Sequence, residues 1–173
     1  MTDKVNIRNS IDTIVFDLDG TLLNTLEDLT DSVNHAMRQF RLPEHTIEEI
    51  RTFVGNGAAK LIERAIPQDT EHGSYEEILD AFRQHYQEHC EEKTGPYEGV
   101  LKMLEQLHGA GYRMAIVSNK PDGAVKQLYG KYFAAWVQSA IGEHPGTLAA
   151  YLAIGLGGPA CPTKCWQRML ADL

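Results

Sequence analysis

The chain has 173 residues, 43% of them hydrophobic and 23% charged, enough for one folded core with a modest insertion and unlike a disordered or fibrous protein. With 24 acidic against 16 basic residues the net charge is −8, which argues against general attraction to nucleic acid or to an anionic membrane. Three cysteines, Cys90, Cys161 and Cys165, are an odd number at irregular spacing and fit a reducing compartment better than a disulfide framework. The opening Met-Thr-Asp-Lys-Val-Asn has no apolar run behind a basic start, so the cytoplasm is the expected location. His144 to Thr163 lacks Asp, Glu, Lys and Arg, but Pro145, Pro159 and Pro162 interrupt it. Its apolar centre, Leu148 to Gly158, is about half of the ~20 residues a spanning helix needs, so no membrane helix is expected.

In chain order, Ile11 to Phe16 is β-rich and apolar and runs into Asp17-Leu18-Asp19-Gly20-Thr21, which predicts a buried strand ending in a polar loop. From Leu22 the period changes. Leu22, Leu26, Leu29, Val33, Met37 and Phe40 recur every three or four residues, one face of a long amphipathic helix closed by Pro43. Thr46 with Glu49 and Ser74 with Glu77 match capping boxes, and Val54-Gly55-Asn56-Gly57-Ala58 is a glycine-flanked turn leading into a helix over 59–66. Residues 24–94 thus read as all helical. Thr94-Gly95-Pro96 breaks the run, and Val100, Met103, Leu104 and Leu107 mark another helix, ended by Gly109-Ala110-Gly111. Tyr112 to Val117 is a second β-rich run, stopping in a polar loop, Ser118-Asn119-Lys120-Pro121. A short helix over 123–129 and a third strand over 136–141 follow. After Gly146 the sequence is rich in Ala, Gly and Pro, without a sustained period.

Strands alternating with helices imply a parallel sheet, and in such sheets ligands gather at the carboxyl ends of the strands. Asp17, Asp19 and Ser118 all fall at such ends. Two carboxylates one residue apart on a turn can share a divalent cation while one remains available as a nucleophile, and Mg²⁺ suits such hard oxygen donors. Gly20 permits the sharp turn, and Thr21 with nearby backbone N–H groups can hold phosphate oxygens. An ordinary strand-exit turn uses the same residue types for purely local reasons.

The run Ile14-Val15-Phe16-Asp17-Leu18-Asp19-Gly20-Thr21-Leu22 resembles the first signature of the haloacid dehalogenase superfamily of phosphohydrolases. Ser118-Asn119-Lys120-Pro121 resembles the second. The helical insertion with Val54-Gly55-Asn56-Gly57 and the exit Gly95-Pro96-Tyr97-x-Gly99-Val100 resemble the cap of phosphoglycolate phosphatases, and the resemblance covers about residues 10–146. It implies that Asp17 is the nucleophile that becomes an aspartyl phosphate. Asp19 would protonate the leaving oxygen and then activate water, and Ser118 would hydrogen-bond the phosphate. Asn119 and Lys120 fall in the same phosphate-binding segment, Asn56 and Gly57 would touch substrate from the cap, and Lys60 or Arg64 could meet a carboxylate. The resemblance further implies Mg²⁺ on the Asp17 carboxylate and the Asp19 backbone carbonyl, and a small phosphorylated metabolite as substrate. A second aspartate two residues on favours phosphate esters over haloacids.

Two family elements are not visible: a lysine, usually in a Lys-Pro context after the third strand, and a later acidic pair. The change in composition after Gly146 reads as truncation or a frameshift of a longer phosphatase, and Lys120 is the candidate for part of the missing positive charge. The expected fold class is therefore α/β: a doubly wound, Rossmann-like parallel-sheet core (10–23 and 95–146) with an inserted helical cap (24–94) and a divergent tail (147–173). The expected activity is phosphate monoester hydrolysis. A phosphosugar mutase or a non-catalytic remnant are the alternatives. His85, His89 and Cys90 have a spacing that could bind zinc, but a solvated helix surface explains them more simply. Cys161 and Cys165 have no partner pair, and Trp136 and Trp166 read as packing residues.

Overall fold

A computed structural model describes residues 12–68 and 74–143 of the chain. The anticipated tail at 147–173, the region 144–146, and Ile11 with the residues before it lie outside the described residues. Three strands, β1 (Thr13–Phe16), β4 (Arg113–Pro121) and β5 (Ser139–Glu143), form one parallel sheet in the order β1-β4-β5. A two-stranded antiparallel ribbon, β2 (Leu23–Asn24) with β3 (Gly95–Pro96), joins the entrance and exit of a helical block. The block comprises α1 (Leu26–Gln39), α2 (Ile47–Phe53), α3 (Gly57–Ala65) and α4 (Ser74–His89). Helices α5 (Val100–Gly109) and α6 (Asp122–Tyr132) connect the strands. This is the α/β architecture expected, with parallel strands and helical crossovers.

The helical block holds together through its own apolar face. Val33, Ala36 and Met37 of α1, Ile50 of α2, Ile62 of α3 and Ile78 of α4 are all completely buried. Each large side chain withdrawn from water contributes roughly 1.5–3 kcal/mol before entropy is counted. Helix α1 packs along α4, and α3 reaches across to β4, which lays the block over one end of the sheet. Asp28 of α1 is buried and accepts hydrogen bonds from the backbone N–H groups of Lys93 (3.0 and 3.1 Å) and Thr94 (2.9 Å). A carboxylate thereby satisfies backbone donors where the chain leaves α4.

Several boundaries differ from expectation. Helix α1 begins at Leu26, because Leu18 O accepts from Thr21, Leu22 and Leu23 N–H in a tight loop and Leu23 then pairs with Pro96. Within the described part of the first apolar run the strand is Thr13 to Phe16, and all four residues are half-buried rather than buried. Among the described strands β1 has a partner on one side alone. Strand β4 continues to Pro121 instead of ending in a loop at Ser118, since β5 pairs with it as far as Pro121↔Glu143 across a register irregularity. Strand β5 starts at Ser139, later than Trp136, which still belongs to the turn after α6. The capping box of α2 is present: Glu49 N–H donates to Thr46 Oγ1 (3.3 Å) and Thr46 N–H to Glu49 Oε2 (2.8 Å). Helix α4 begins at Ser74, where the second capping signal stands. Among the described residues no helix is long and apolar enough to cross a membrane.

Candidate functional site

Strand register assembles the site. Phe16 pairs with Ile116 in the parallel ladder, so the chain leaving β1 at Asp17 runs beside Val117 and Ser118. The loop turns at Gly20, whose φ of +74° is a left-handed conformation that favours glycine. Asp17, Asp19, Ser118, Asn119 and Lys120 thereby line one cleft, roofed by Val54, Gly55, Gly57, Leu61, Phe82 and Tyr86 of the helical block. The space between these walls is about 540 Å³ when the open solvent at its mouth is included.

Lys120 is the most constrained cation in the cleft. Its side chain is 1% exposed, and Nζ donates to Asp19 Oδ1 at 2.8 Å and to the Tyr86 hydroxyl. The ammonium also lies 4.4 Å from the centre of the Tyr86 ring. Backbone geometry supports this placement, because Lys120 N–H donates to Ser118 Oγ at 3.2 Å and both residues are buried. The β-continuation through Pro121 thus carries Lys120 inward, where a loop would have left it in solvent.

Asp17 is open to solvent at the cleft mouth, yet protein surrounds its carboxyl on most sides. The resulting desolvation pushes its pKa up from the usual carboxylate value. The Leu18 backbone N–H opposes that rise, the Asp19 charge adds to it, and Lys120 opposes it. The open mouth keeps the effect well short of full burial. Desolvation likewise holds the Tyr86 hydroxyl well above the ordinary phenol range, with Asp19 acting in the same direction, so it stays protonated at neutral pH.

The polar groups of the cleft include acceptors of the kind a divalent cation takes. Asn119 Oδ1 is buried without a hydrogen-bond partner and belongs to a residue lining the same cleft as Asp17 and Asp19. An unpaired acceptor beside two carboxylates suits a hard cation, and Mg²⁺ needs only one or two carboxylates while keeping several waters. Among the described residues no group of three or more His, Cys, Asp or Glu side chains could hold a metal ion. The residues present therefore fit Mg²⁺ better than a metal held in an all-protein cage.

The remaining predicted site residues divide clearly. Gly57 (φ +84°) lines the cleft, and a Cβ there would lie 3.4 Å from Asn119 O and 3.6 Å from Glu143 Oε2. Glu143 is thus a further carboxylate near the cleft that the sequence did not single out. Asn56 does not line the cleft; its Oδ1 accepts from Arg64 at 2.7 Å on the exposed side of the helical block. Arg64 also donates to Phe53 O, and Lys60 pairs with Glu63 at 2.6 Å, so neither cation points to the site. Thr21 is exposed and absent from the cleft lining, because the turn at Gly20 leads it outward. Arg51 of α2 lines a neighbouring depression that also contains Asp19, Thr25 and Tyr97. Tyr86 and Arg51 escaped the sequence reading. Tyr86 gave only an apolar signal four residues after Phe82, and Arg51 lay on a short helix whose phase was unknown.

The candidate zinc spacing is a ring stack. His85 lies between His35 and His89 with centroids 4.1 and 4.2 Å apart, and His85 Nδ1 is 3.0 Å from Ser32 Oγ. His89 pairs with Glu92, and Cys90 is buried and free. Residues 85 and 89 are therefore partly packed, not simply solvated.

A parallel sheet with two carboxylates beyond its first strand, a buried serine and lysine at the end of the next, and a helical block inserted between them make one α/β unit whose polar groups gather at the carboxyl ends of the strands. The family model for haloacid dehalogenase-like hydrolases matches residues 14–131, and the chain belongs to that family. It is 38% identical over 110 residues to a phosphoglycolate phosphatase of Mesorhizobium japonicum, covering 62% of this chain and 48% of that protein. With a phosphoglycolate phosphatase of Vibrio parahaemolyticus it shares 35% identity over 163 residues, 91% of this chain and 65% of the relative. The chain thus spans about half to two thirds of the length of these curated relatives. Among solved structures, a predicted phosphoglycolate phosphatase from Haemophilus somnus 129pt superposes with a TM-score of 0.72 at 29% identity, over 85% of this chain and 72% of that one.

Proposed function

We propose that the chain is a Mg²⁺-dependent phosphatase acting on a small phosphate monoester such as 2-phosphoglycolate, through an aspartyl phosphate on Asp17. The observation that carries this reading is the convergence of Asp17, Asp19, Ser118 and buried Lys120 in one cleft. The similarity to phosphoglycolate phosphatases supports the substrate class.

In the first step an Asp17 oxygen attacks phosphorus, the ester oxygen leaves, and Asp19 gives it a proton. In the second, Asp19 takes a proton from water, the water oxygen attacks phosphorus, and the Asp17–phosphorus bond breaks to release inorganic phosphate. Ser118 and Asn119 hold phosphoryl oxygens, and Lys120 supplies positive charge beside them. The Asp17 carboxylate and the Asp19 backbone carbonyl would hold Mg²⁺, which when bound would supply positive charge to offset the negative charge of the transferring group. Leu61, Phe82 and Val54 exclude bulk water when the helical block, residues 24–94, closes as a cap over the core formed by 10–23 and 95–146. Arg51 lines the same depression as Asp19 and would suit a substrate carboxylate there. A cytoplasmic setting is consistent with the free, buried Cys90.

The test is release of inorganic phosphate from 2-phosphoglycolate with and without Mg²⁺, beside Asp17→Asn. Metal-dependent release that the substitution abolishes is expected. Release that survives Asp17→Asn excludes the aspartyl-phosphate route, and an isomerised phosphosugar in place of free phosphate points to a mutase.

A further inference from the structure

As the proton donor, Asp19 must be aimed at the leaving oxygen. Asp19 is on a loop turning at Gly20 and is 20% exposed, so its own backbone leaves the carboxylate rotatable. The hydrogen bond on its side chain within the described structure comes from Lys120, at 2.8 Å. Lys120 in turn has a second acceptor, the hydroxyl of Tyr86, on α4 of the helical block. Tyr86 is 1% exposed and stacks on Phe82 with centroids 5.6 Å apart, which fixes its ring within the cap. The loop after β1, the end of β4 and one helix of the cap thus meet at one ammonium.

We infer that Tyr86 is a positioning residue of the cap, whose hydroxyl fixes the Lys120 ammonium against Asp19 so that Asp19 is aimed at the leaving oxygen when the cap lies over the sheet ends. This rests on the phosphatase reading of the cleft. An ammonium with three N–H donors and two fixed acceptors is held in direction, and its third donor is left for a phosphoryl oxygen. If the cap lifts, Tyr86 moves with α4, and Lys120 keeps Asp19 but loses the partner that orients it. Closure is then registered at the acid itself, not only by the exclusion of water.

The test uses Tyr86→Phe, which keeps the ring and the Phe82 stack and removes only the hydroxyl. Because kcat/KM reports steps up to loss of the leaving group, it is compared for 2-phosphoglycolate, whose alkoxide needs a proton, and p-nitrophenyl phosphate, whose leaving group does not. The expected result is a loss of about 10- to 100-fold on 2-phosphoglycolate and less than about 3-fold on the aryl ester, a part of what a general acid contributes. Equal losses on both substrates overturn the inference and make the hydroxyl structural or phosphate-binding; no loss on either also overturns it. Asp17→Asn separates the two ideas, since surviving turnover there removes the phosphatase mechanism, whatever Tyr86 does. A second readout needs no turnover: the ¹⁵N-detected lysine ammonium signal that disappears in Lys120→Arg is expected to exchange slowly with water in the parent chain. Tyr86→Phe is expected to speed that exchange about tenfold or more, as a lost hydrogen bond of this kind implies. An unchanged rate shows that the contact does not hold Lys120 and overturns the inference.

Discussion

The sheet side of the cleft presents two carboxylates, a buried hydroxyl and a buried ammonium, whereas the helical side presents Leu29, Val54, Leu61 and Phe82 together with the Tyr86 hydroxyl. In the first set Ser118 and Lys120 stand on the hydrogen-bonded β4 ladder and Asp17 and Asp19 on the loop that follows β1, whereas the second set is placed by packing of amphipathic helices. Charged groups thus stand at the strand ends, and apolar groups that shed water stand on the helical block. Tyr86 and Lys120 join the two walls, so changes on either side of that junction should have different signatures.

Apart from loss of the Asp17 nucleophile, the largest effect expected in the folded chain is that of Lys120→Met. It leaves Asp19 and Asp17 side by side without their cation, which should lower stability by about 2–4 kcal/mol and phosphate release by about 100-fold or more. Urea unfolding at neutral pH and initial rates check the two parts, and an unchanged unfolding midpoint would mean that the ion pair contributes nothing. Next comes Gly142→Ala, behind the sheet wall. A Cβ there would lie 2.5 Å from Asp122 Cα and 2.6 Å from Lys120 O, both backbone atoms, so β5 or the start of α6 must shift. A loss of about 1–3 kcal/mol is expected, with an unchanged denaturant m-value showing that the unfolding remains two-state.

The smallest effect concerns the helical block alone. Burial, then His35 and His89, hold His85 below the ordinary value of 6.5 against the pull of Glu92 and Glu88. The unfolded chain therefore takes up this proton at higher pH than the folded one. The contribution is complete above 6.5 and is lost as pH falls through the lower folded value. His89 is shifted the other way by Glu92, but it is exposed and its effect is largely screened. His85→Gln should flatten the fall of Tm below pH 6.5 without altering phosphate release at pH 7.5 to 8. An equally steep fall in the variant would assign the acid sensitivity to other groups.

The sheet side was legible in the sequence because its signals are local. An apolar β-run followed by Asp-x-Asp-Gly specifies a strand end and a turn, and Ser118 follows a second such run; parallel pairing then brings the two together. The misplaced features depend on partners distant in sequence. Leu22 and Leu23 fit the helical spacing of α1, but pairing with Gly95 and Pro96 draws the chain into a ribbon. Asn119, Lys120 and Pro121 read as a turn from their own chemistry, yet β5 extends the strand and buries Lys120. On the helical side the periodicity announced the helices but not which face meets the sheet. Tyr86 therefore looked like any core aromatic, and Lys60 and Arg64 were favoured over Arg51.

The central claim is that Asp17 carries the phosphoryl group, and the direct measurement is chemical trapping during turnover. The chain is mixed with Mg²⁺ and 2-phosphoglycolate, quenched, reduced with borohydride and digested, and the peptide containing Asp17 is weighed by mass spectrometry. An acyl phosphate at Asp17 is reduced to homoserine, so that conversion, dependent on substrate and metal and absent from Asp17→Asn, is the predicted result. Steady phosphate release with Asp17 unmodified, or with the reduction found at Asp19, would contradict the account.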